Sequence, residues 1–275
     1  MKKNGKQTVC IVIPVYKAVP SPHESISLTQ CIKVLGHFPI KLVHPESLDL
    51  TAYEAIAPTL DAVPFPAHFF TGIQAYNRLM LSEEFYSAFS GFEYMLIHQL
   101  DAFVFKDELL YWCNQGFDYI GAPWLRDRDF YSFTDEFIFN LKKRIAVLFD
   151  LKKEDGITPR EITSLNSVGN GGFSLRRISA FLACLRIFNK KIKQYERSTL
   201  YQFNEDAFWG IEVNRYWPRL KIPDFRTALR FAVEFYPQRA ITNYNQGDLP
   251  FGCHAWDIHG TGYWQSIFAR YGYVI

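Results

Sequence analysis

Two uninterrupted apolar runs frame the first hundred residues. Val9–Val15 (VCIVIPV) and Tyr94–Leu100 (YMLIHQL) lack the in-out alternation of a strand with one wet face. They read as central parallel strands covered on both faces. Between them Leu28, Cys31, Ile32 and Leu35 recur at helical spacing, which predicts a helix over Ser27–Leu35. Ile40–Val43 follows as a short strand closed by His44-Pro45. Strand, helix, strand is the unit of a right-handed βαβ crossover.

Ala57–Pro66 carries prolines and reads as loop. Ile73–Phe89 predicts a helix in two pieces, with Ser82 as N-cap of the second and Glu83 and Glu84 at its positive end. Phe117–Ile120 predicts a short strand before a Gly121-Ala122-Pro123 turn. Trp124–Leu165 breaks the pattern, and within it Asp135–Lys153 spaces apolar residues helically among Lys142, Lys143, Arg144, Lys152 and Lys153. Such a helix packs on the protein with a solvated face, or lies on a membrane surface. Val168–Arg177 (VGNGGFSLRR), with three glycines around Asn170, reads as a loop where backbone approaches a ligand or another chain. Ile178, Phe181, Leu182 and Leu185 mark a helix, and Phe203–Arg215 a second one capped by Asn204.

The 48% hydrophobic content of 275 residues excludes a disordered chain and suits one domain over 1–275. Residues 125–165 are then a helical insertion, and 240–275 an aromatic-rich segment closing the site. A net charge of +2, with no basic stripe, argues against nucleic acid. The five cysteines are odd in number, widely spaced and free of CxxC, which predicts reduced core thiols, no zinc site and a cytoplasmic setting. Met1-Lys2-Lys3 before Val9–Val15 resembles a signal peptide only superficially, since the run is short and holds Pro14. No apolar segment reaches the ~18 residues of a membrane span. Peripheral contact at the inner membrane surface through 135–153 is the remaining membrane expectation.

Asp101 ends the second apolar run. Ligands of open α/β sheets bind outside the carboxyl ends of the strands, and a lone carboxylate is rarely buried unpaired, so Asp101 is expected to face a cleft, a cation or a ligand. Later come the Gly-rich stretch, the pair Glu205-Asp206 at a helix start, and His254 in LPFGCHAW.

That order resembles the GT-A superfamily of nucleotide-sugar-dependent glycosyltransferases. It looks closest to a little-characterised group of glycosyltransferase-like domains with the strings YNRLMLS (Tyr76–Ser82), QLDAFVF (Gln99–Phe105), GAPW (Gly121–Trp124), VGNGGFSLR (Val168–Arg176), NEDAFW (Asn204–Trp209) and LPFGCHAW (Leu249–Trp256). The resemblance implies a mainly parallel, Rossmann-like sheet with helices on both faces. It implies sugar transfer from a nucleotide diphosphate donor to a glycan or lipid-linked glycan hydroxyl. Of the metal-binding DxD motif only Asp101 is present, flanked by Gln99 and Phe103, so Asp101 with His254 is expected to hold Mn2+ or Mg2+. Glu205-Asp206 resembles the xED motif of inverting members, with Asp206 as general base and Glu205 contacting acceptor or fixing local structure. Pro14, Val15, Tyr16, Asn77, Arg78, Gln99, Asp101 and Ala102 are the expected donor contacts, and Trp124, Asn170, Gly171, Gly172, Phe173 and Trp209 the acceptor or sugar contacts. A retaining transferase or sugar nucleotidyltransferase on the same fold, and a non-catalytic carbohydrate-binding protein, are the alternatives.

Overall fold

The computed structural model describes residues 2–3, 6–58 and 60–275. Its strands, in chain order, are β1 (Lys2–Lys3), β2 (Lys6–Pro14), β3 (Ile40–Pro45), β4 (Asp61–Phe65), β5 (Phe92–His98), β6 (Phe103–Val104), β7 (Tyr119–Gly121), β8 (Phe173–Arg177), β9 (Ala232–Val233) and β10 (Gly252–Cys253). The main sheet has the order β4-β3-β2-β5-β8-β7, with β1 paired to β2. Strands β4, β3, β2 and β5 are mutually parallel, while β8 runs antiparallel to both β5 and β7.

The apolar runs behave as continuous burial requires. In β2, Val9, Ile11 and Ile13 enter one core, while Cys10 and Val12 enter the other. Tyr94 and Leu96 of β5 join the first core, Met95 and Ile97 the second. Helix Pro22–Leu35 covers the first face through Leu28, Cys31 and Leu35. Helices Ile73–Met80, Glu83–Ala88 and Ile178–Ile187 cover the second. All five cysteines are buried and free. Among the described residues, no helix is long and apolar enough to cross a membrane.

Several boundaries differ from the sequence expectation. The first helix starts at Pro22, where Ser21 and Glu24 form a reciprocal capping box; its polar first turn hides the helical period. The proline-bearing segment contains edge strand β4, where Pro64 is tolerated. The Gly-rich stretch is loop only to Gly172 and then becomes β8. Ser82 caps as expected, accepting from Phe85 N at 3.1 Å. The insertion helix spans Phe133–Leu148 and stops short of Lys153. Residues 201–212 are successive short 3-10, α and π turns rather than one helix, and Asn204 makes no side-chain cap. Gly210 allows the π turn to press on Val168: a Cβ there would lie 2.2 Å from the Val168 carbonyl oxygen.

A second sheet, β6-β10-β9, sits beside the main one. Strand β10 is antiparallel to β6 and parallel to β9, with Cys253 opposite both Phe103 and Val233. The C-terminal helix Thr261–Arg270 packs on it through Trp264, Ile267 and Phe268. Phe103 and Phe268 stack with centroids 4.0 Å apart.

Candidate active site

A cleft of about 660 Å3 opens at the carboxyl edge of β2 and β5. From β2 the chain goes to β3 on one flank of this pair, and after β5 it reaches β7 on the other, so the strand order diverges here, where open sheets bind ligands. Pro14, Val15 and Tyr16 form one wall, Gln99 to Asp101 another, and Asn170 to Gly172 a third. Asp101 and Asp206, far apart in the chain, line this one cleft.

The small sheet brings three charged groups together. Asp101 precedes β6, Glu234 follows β9 and His254 follows β10, so the ends of the three strands bring them to one point. His254 Nε2 lies 3.1 Å from Asp101 Oδ1, and Nδ1 lies 3.5 Å from Glu234 Oε1. Burial alone would lower the imidazole pKa, but the two carboxylates outweigh it and push it up to about 10. Burial conversely opposes ionisation of Asp101, yet His254 holds its carboxyl below the usual range.

Asn170 and its glycines clamp this cluster. Asn170 Nδ2 donates to Glu234 Oε2 at 2.6 Å and lies 2.9 Å from His254 Nδ1, while its Oδ1 accepts from Gly172 N at 2.8 Å. Each glycine stands where a side chain would collide with the site's own groups. A Cβ on Gly169 would meet the Trp124 ring at 2.1 Å, on Gly171 Glu205 Oε1 at 2.2 Å, and on Gly172 His254 Nε2 at 1.9 Å.

Glu205 and Asp206 have different surroundings. Glu205 faces Arg176 of β8 in a two-pronged buried pair, with its backbone N donating to Asn77 Oδ1 at 3.2 Å. Asn77 Nδ2 in turn donates to Asn204 Oδ1 at 2.9 Å. Asp206 instead accepts from Ala207 N at 2.7 Å. Burial first, and the charge of Glu205 second, push its carboxyl up to about 8. A second cleft of about 410 Å3, with Tyr201, Tyr236 and Arg160 in its walls, shares Trp124, Asn204 and Asp206 with the first. Asp206 therefore borders both.

Most of the expected contacts line the main cleft: Pro14, Val15, Tyr16, Asn77, Gln99, Asp101, Trp124, Asn170, Gly171, Gly172, Asp206 and His254. Four do not. Arg78 is outside its walls. Ala102 is fully buried, its carbonyl accepting from Ser27 Oγ at 2.6 Å. Phe173 is fully buried against His98 and Phe251. Trp209 is fully buried on Phe181, at a centroid distance of 4.2 Å, and offers no surface to a sugar. Glu205 reaches the cleft wall, but Arg176 occupies both of its oxygens, which leaves it a positioning role rather than an acceptor contact. Sequence reasoning missed Glu234 and Arg176. A charged residue inside the apolar GGFSLRR stretch was the available signal for Arg176; a lone acid after a two-residue strand gave none for Glu234.

The expected Mn2+ or Mg2+ does not fit this donor set. Asp101 and His254 contact each other at 3.1 Å instead of flanking a gap. Among the described residues no group of three His, Cys, Asp or Glu side chains is placed to hold one.

The chain belongs to the DUF5672 family, described as a protein of unknown function, whose profile matches residues 59–254. No curated protein matches it in sequence. In fold it is similar to mouse xyloside xylosyltransferase 1 in its apo form, with a TM-score of 0.54 and 11% identity over 90% of this chain and 97% of that one. It is also similar to galactosyltransferase LgtC in complex with donor and acceptor sugar analogues, with a TM-score of 0.53 and 11% identity over 89% of this chain and 86% of that one. At such identity the likeness concerns the fold, a mostly parallel α/β sheet of the GT-A kind.

Proposed function

We propose that this DUF5672 member is a glycosyltransferase that moves a sugar from a nucleoside diphosphate donor to an acceptor hydroxyl, with inversion at the anomeric carbon. One observation carries the reading: Asp206, an acid with a raised pKa, stands where two clefts meet. Strongly perturbed carboxyls in clefts mark candidate catalytic groups. The larger cleft has the size of a small-molecule site and takes the donor. The smaller one takes the acceptor.

Asp206 accepts the proton of the acceptor hydroxyl as that oxygen bonds to the anomeric carbon. The bond from that carbon to the diphosphate breaks, and its electron pair leaves on the diphosphate. A base whose pKa sits near working pH suits this step. Lys17, which pairs with Glu24 at 3.1 Å, is a cation in the donor cleft that faces the departing diphosphate, and Tyr16 is an exposed ring on which the nucleotide base stacks. Asp101 and Glu234 hold His254 in place. The fold shared with a xylosyltransferase and a galactosyltransferase supports the reading by analogy.

The test is nucleoside diphosphate release from a panel of sugar nucleotides, with the anomeric configuration of the product read by NMR. Release by the wild type and its loss in Asp206→Asn are expected. Retained configuration removes Asp206 as base. No turnover with any donor, together with unaltered sugar affinity in Asp206→Asn, leaves a non-catalytic carbohydrate-binding protein.

A further inference from the structure

Helix Phe133–Leu148 leaves an apolar face in water. Its inward face joins Phe139, packed on Phe130, to two polar anchors: Glu136 pairs with Arg226 at 2.6 Å, and Lys143 donates to the Leu165 carbonyl at 2.8 Å. Only Ala146 and Val147 of the helix are buried. Its outward face carries Phe133, Phe137, Ile138, Leu141 and Ile145, continued by Phe149, with exposures from 43% to 83%. At helical spacing Phe137, Ile138, Leu141 and Ile145 fall within an arc of roughly 100°. A helix on an ordinary wet surface shows the reverse pattern. Contiguous exposed apolar area of this kind marks an interaction surface.

We infer that this face docks on an anionic lipid bilayer. The exposed cations Lys142 and Arg144 flank the apolar arc on its two sides. The helix's two acids are used elsewhere, Asp135 accepting from Tyr131 N and Glu136 pairing with Arg226. Arg144 also donates to the Arg215 carbonyl, which brings exposed Tyr216 and Trp217 beside the end of the helix. Aromatic and aliphatic side chains edged by cations suit the headgroup boundary of a bilayer. A two-fold pairing of this helix with a second copy about Leu141 would instead gather both copies of Lys142 and Arg144 at the axis, with no free acid there to meet them.

The same end of the helix borders the second cleft, whose walls include Val147, Asp150 and Arg215 as well as Asp206. Resting on the transferase reading, docking therefore makes the acceptor a lipid-carried hydroxyl presented at the bilayer surface.

The experiment is flotation of the full chain with vesicles, in the absence of donor. The wild type is expected to float with phosphatidylcholine vesicles containing about one quarter phosphatidylglycerol, and about tenfold less with phosphatidylcholine alone or at high salt. Phe137→Glu with Leu141→Glu changes only exposed positions. It should keep the wild-type melting temperature and lose flotation by about tenfold or more, while Lys142→Glu should weaken it several-fold. Absence of wild-type flotation overturns the proposal, as does equal flotation by the variants. A dimer in sedimentation equilibrium that the double variant abolishes, with no vesicle binding, assigns the face to a second copy and also overturns it. Flotation needs no catalysis, so its failure leaves the transferase reading standing, and an inactive chain that floats leaves docking standing.

Discussion

Arg176 and Glu205 meet as parallel forks: Nη2 lies 2.9 Å from Oε1 and Nη1 3.1 Å from Oε2, with both side chains almost wholly out of water. The pair sits directly behind Asp206 and helps to set its charge environment. Breaking a buried pair from one side leaves an uncompensated charge, which costs about 3–5 kcal/mol. Glu205→Gln and Arg176→Met should each lose about that much in urea unfolding. The double variant Arg176→Met with Glu205→Met should lose far less than their sum. Additive losses would show that the two groups do not act as a pair.

Asp206→Asn should separate chemistry from binding. Removing a general base lowers turnover by about 10²- to 10⁴-fold. Donor affinity, measured by calorimetry with the nucleoside diphosphate alone, should stay within a few-fold of wild type, because the proposed donor contacts are the walls formed by Val15, Tyr16 and Gln99. A collapse of affinity without any effect on turnover per bound donor would assign Asp206 to binding instead.

The raised pKa of Asp206 predicts two pH effects. Turnover should climb as pH rises toward about 8, because only the carboxylate accepts a proton. Stability should move the opposite way. Asp206 titrates near 3.8 when unfolded and near 8 when folded, so its contribution is fully present below the lower value and is lost as pH rises through the upper one. Asp206→Asn, which cannot ionise, should therefore melt above the wild type at pH beyond 8 and together with it near pH 4. Equal melting temperatures at both ends would mean that Asp206 is not burdened by burial.

Gly172 and Gly262 provide a matched pair of substitutions. An alanine Cβ at Gly172 would fall 1.9 Å from His254 Nε2 and 2.7 Å from Gln99 Oε1. Gly172→Ala should displace His254, abolish donor binding and lose about 1–3 kcal/mol. At Gly262, inside helix Thr261–Arg270, nothing lies within 4 Å of the added atom, so Gly262→Ala should gain roughly 0.4–1 kcal/mol. Thermal melts of the two variants check both directions.

The main sheet was legible where burial on both faces leaves a continuous apolar run, as in Val9–Val15 and Tyr94–Leu100. Strand β8 was not, because the glycines just before it and its own Arg176 and Arg177 have the composition of a loop; Glu205 and Tyr86 take Arg176, and Asp118 and Tyr94 take Arg177, which makes those arginines tolerable in a sheet. Edge strand β4 was hidden by Pro64. Asp101, Asp206 and His254 could be nominated from local strings, while their convergence was implied only by the family resemblance and not by any local period. It depends on β6, β9 and β10, two residues each, too short to show any period. The same limit applies to Trp209, whose place in NEDAFW suggested a sugar platform although its ring belongs to the core.

Those three short strands have a consequence for biogenesis. Both long apolar strands, and β8 that pairs antiparallel with β5, lie before residue 178, so the central pairing partners of the main sheet precede the small sheet in the chain. Glu234 and His254 come later, and the charged triad exists only after Cys253 finds Phe103 across the intervening chain. The central strands therefore precede the charged cluster in the order of synthesis, and that cluster is assembled by the later long-range pairing rather than by the strands that support it.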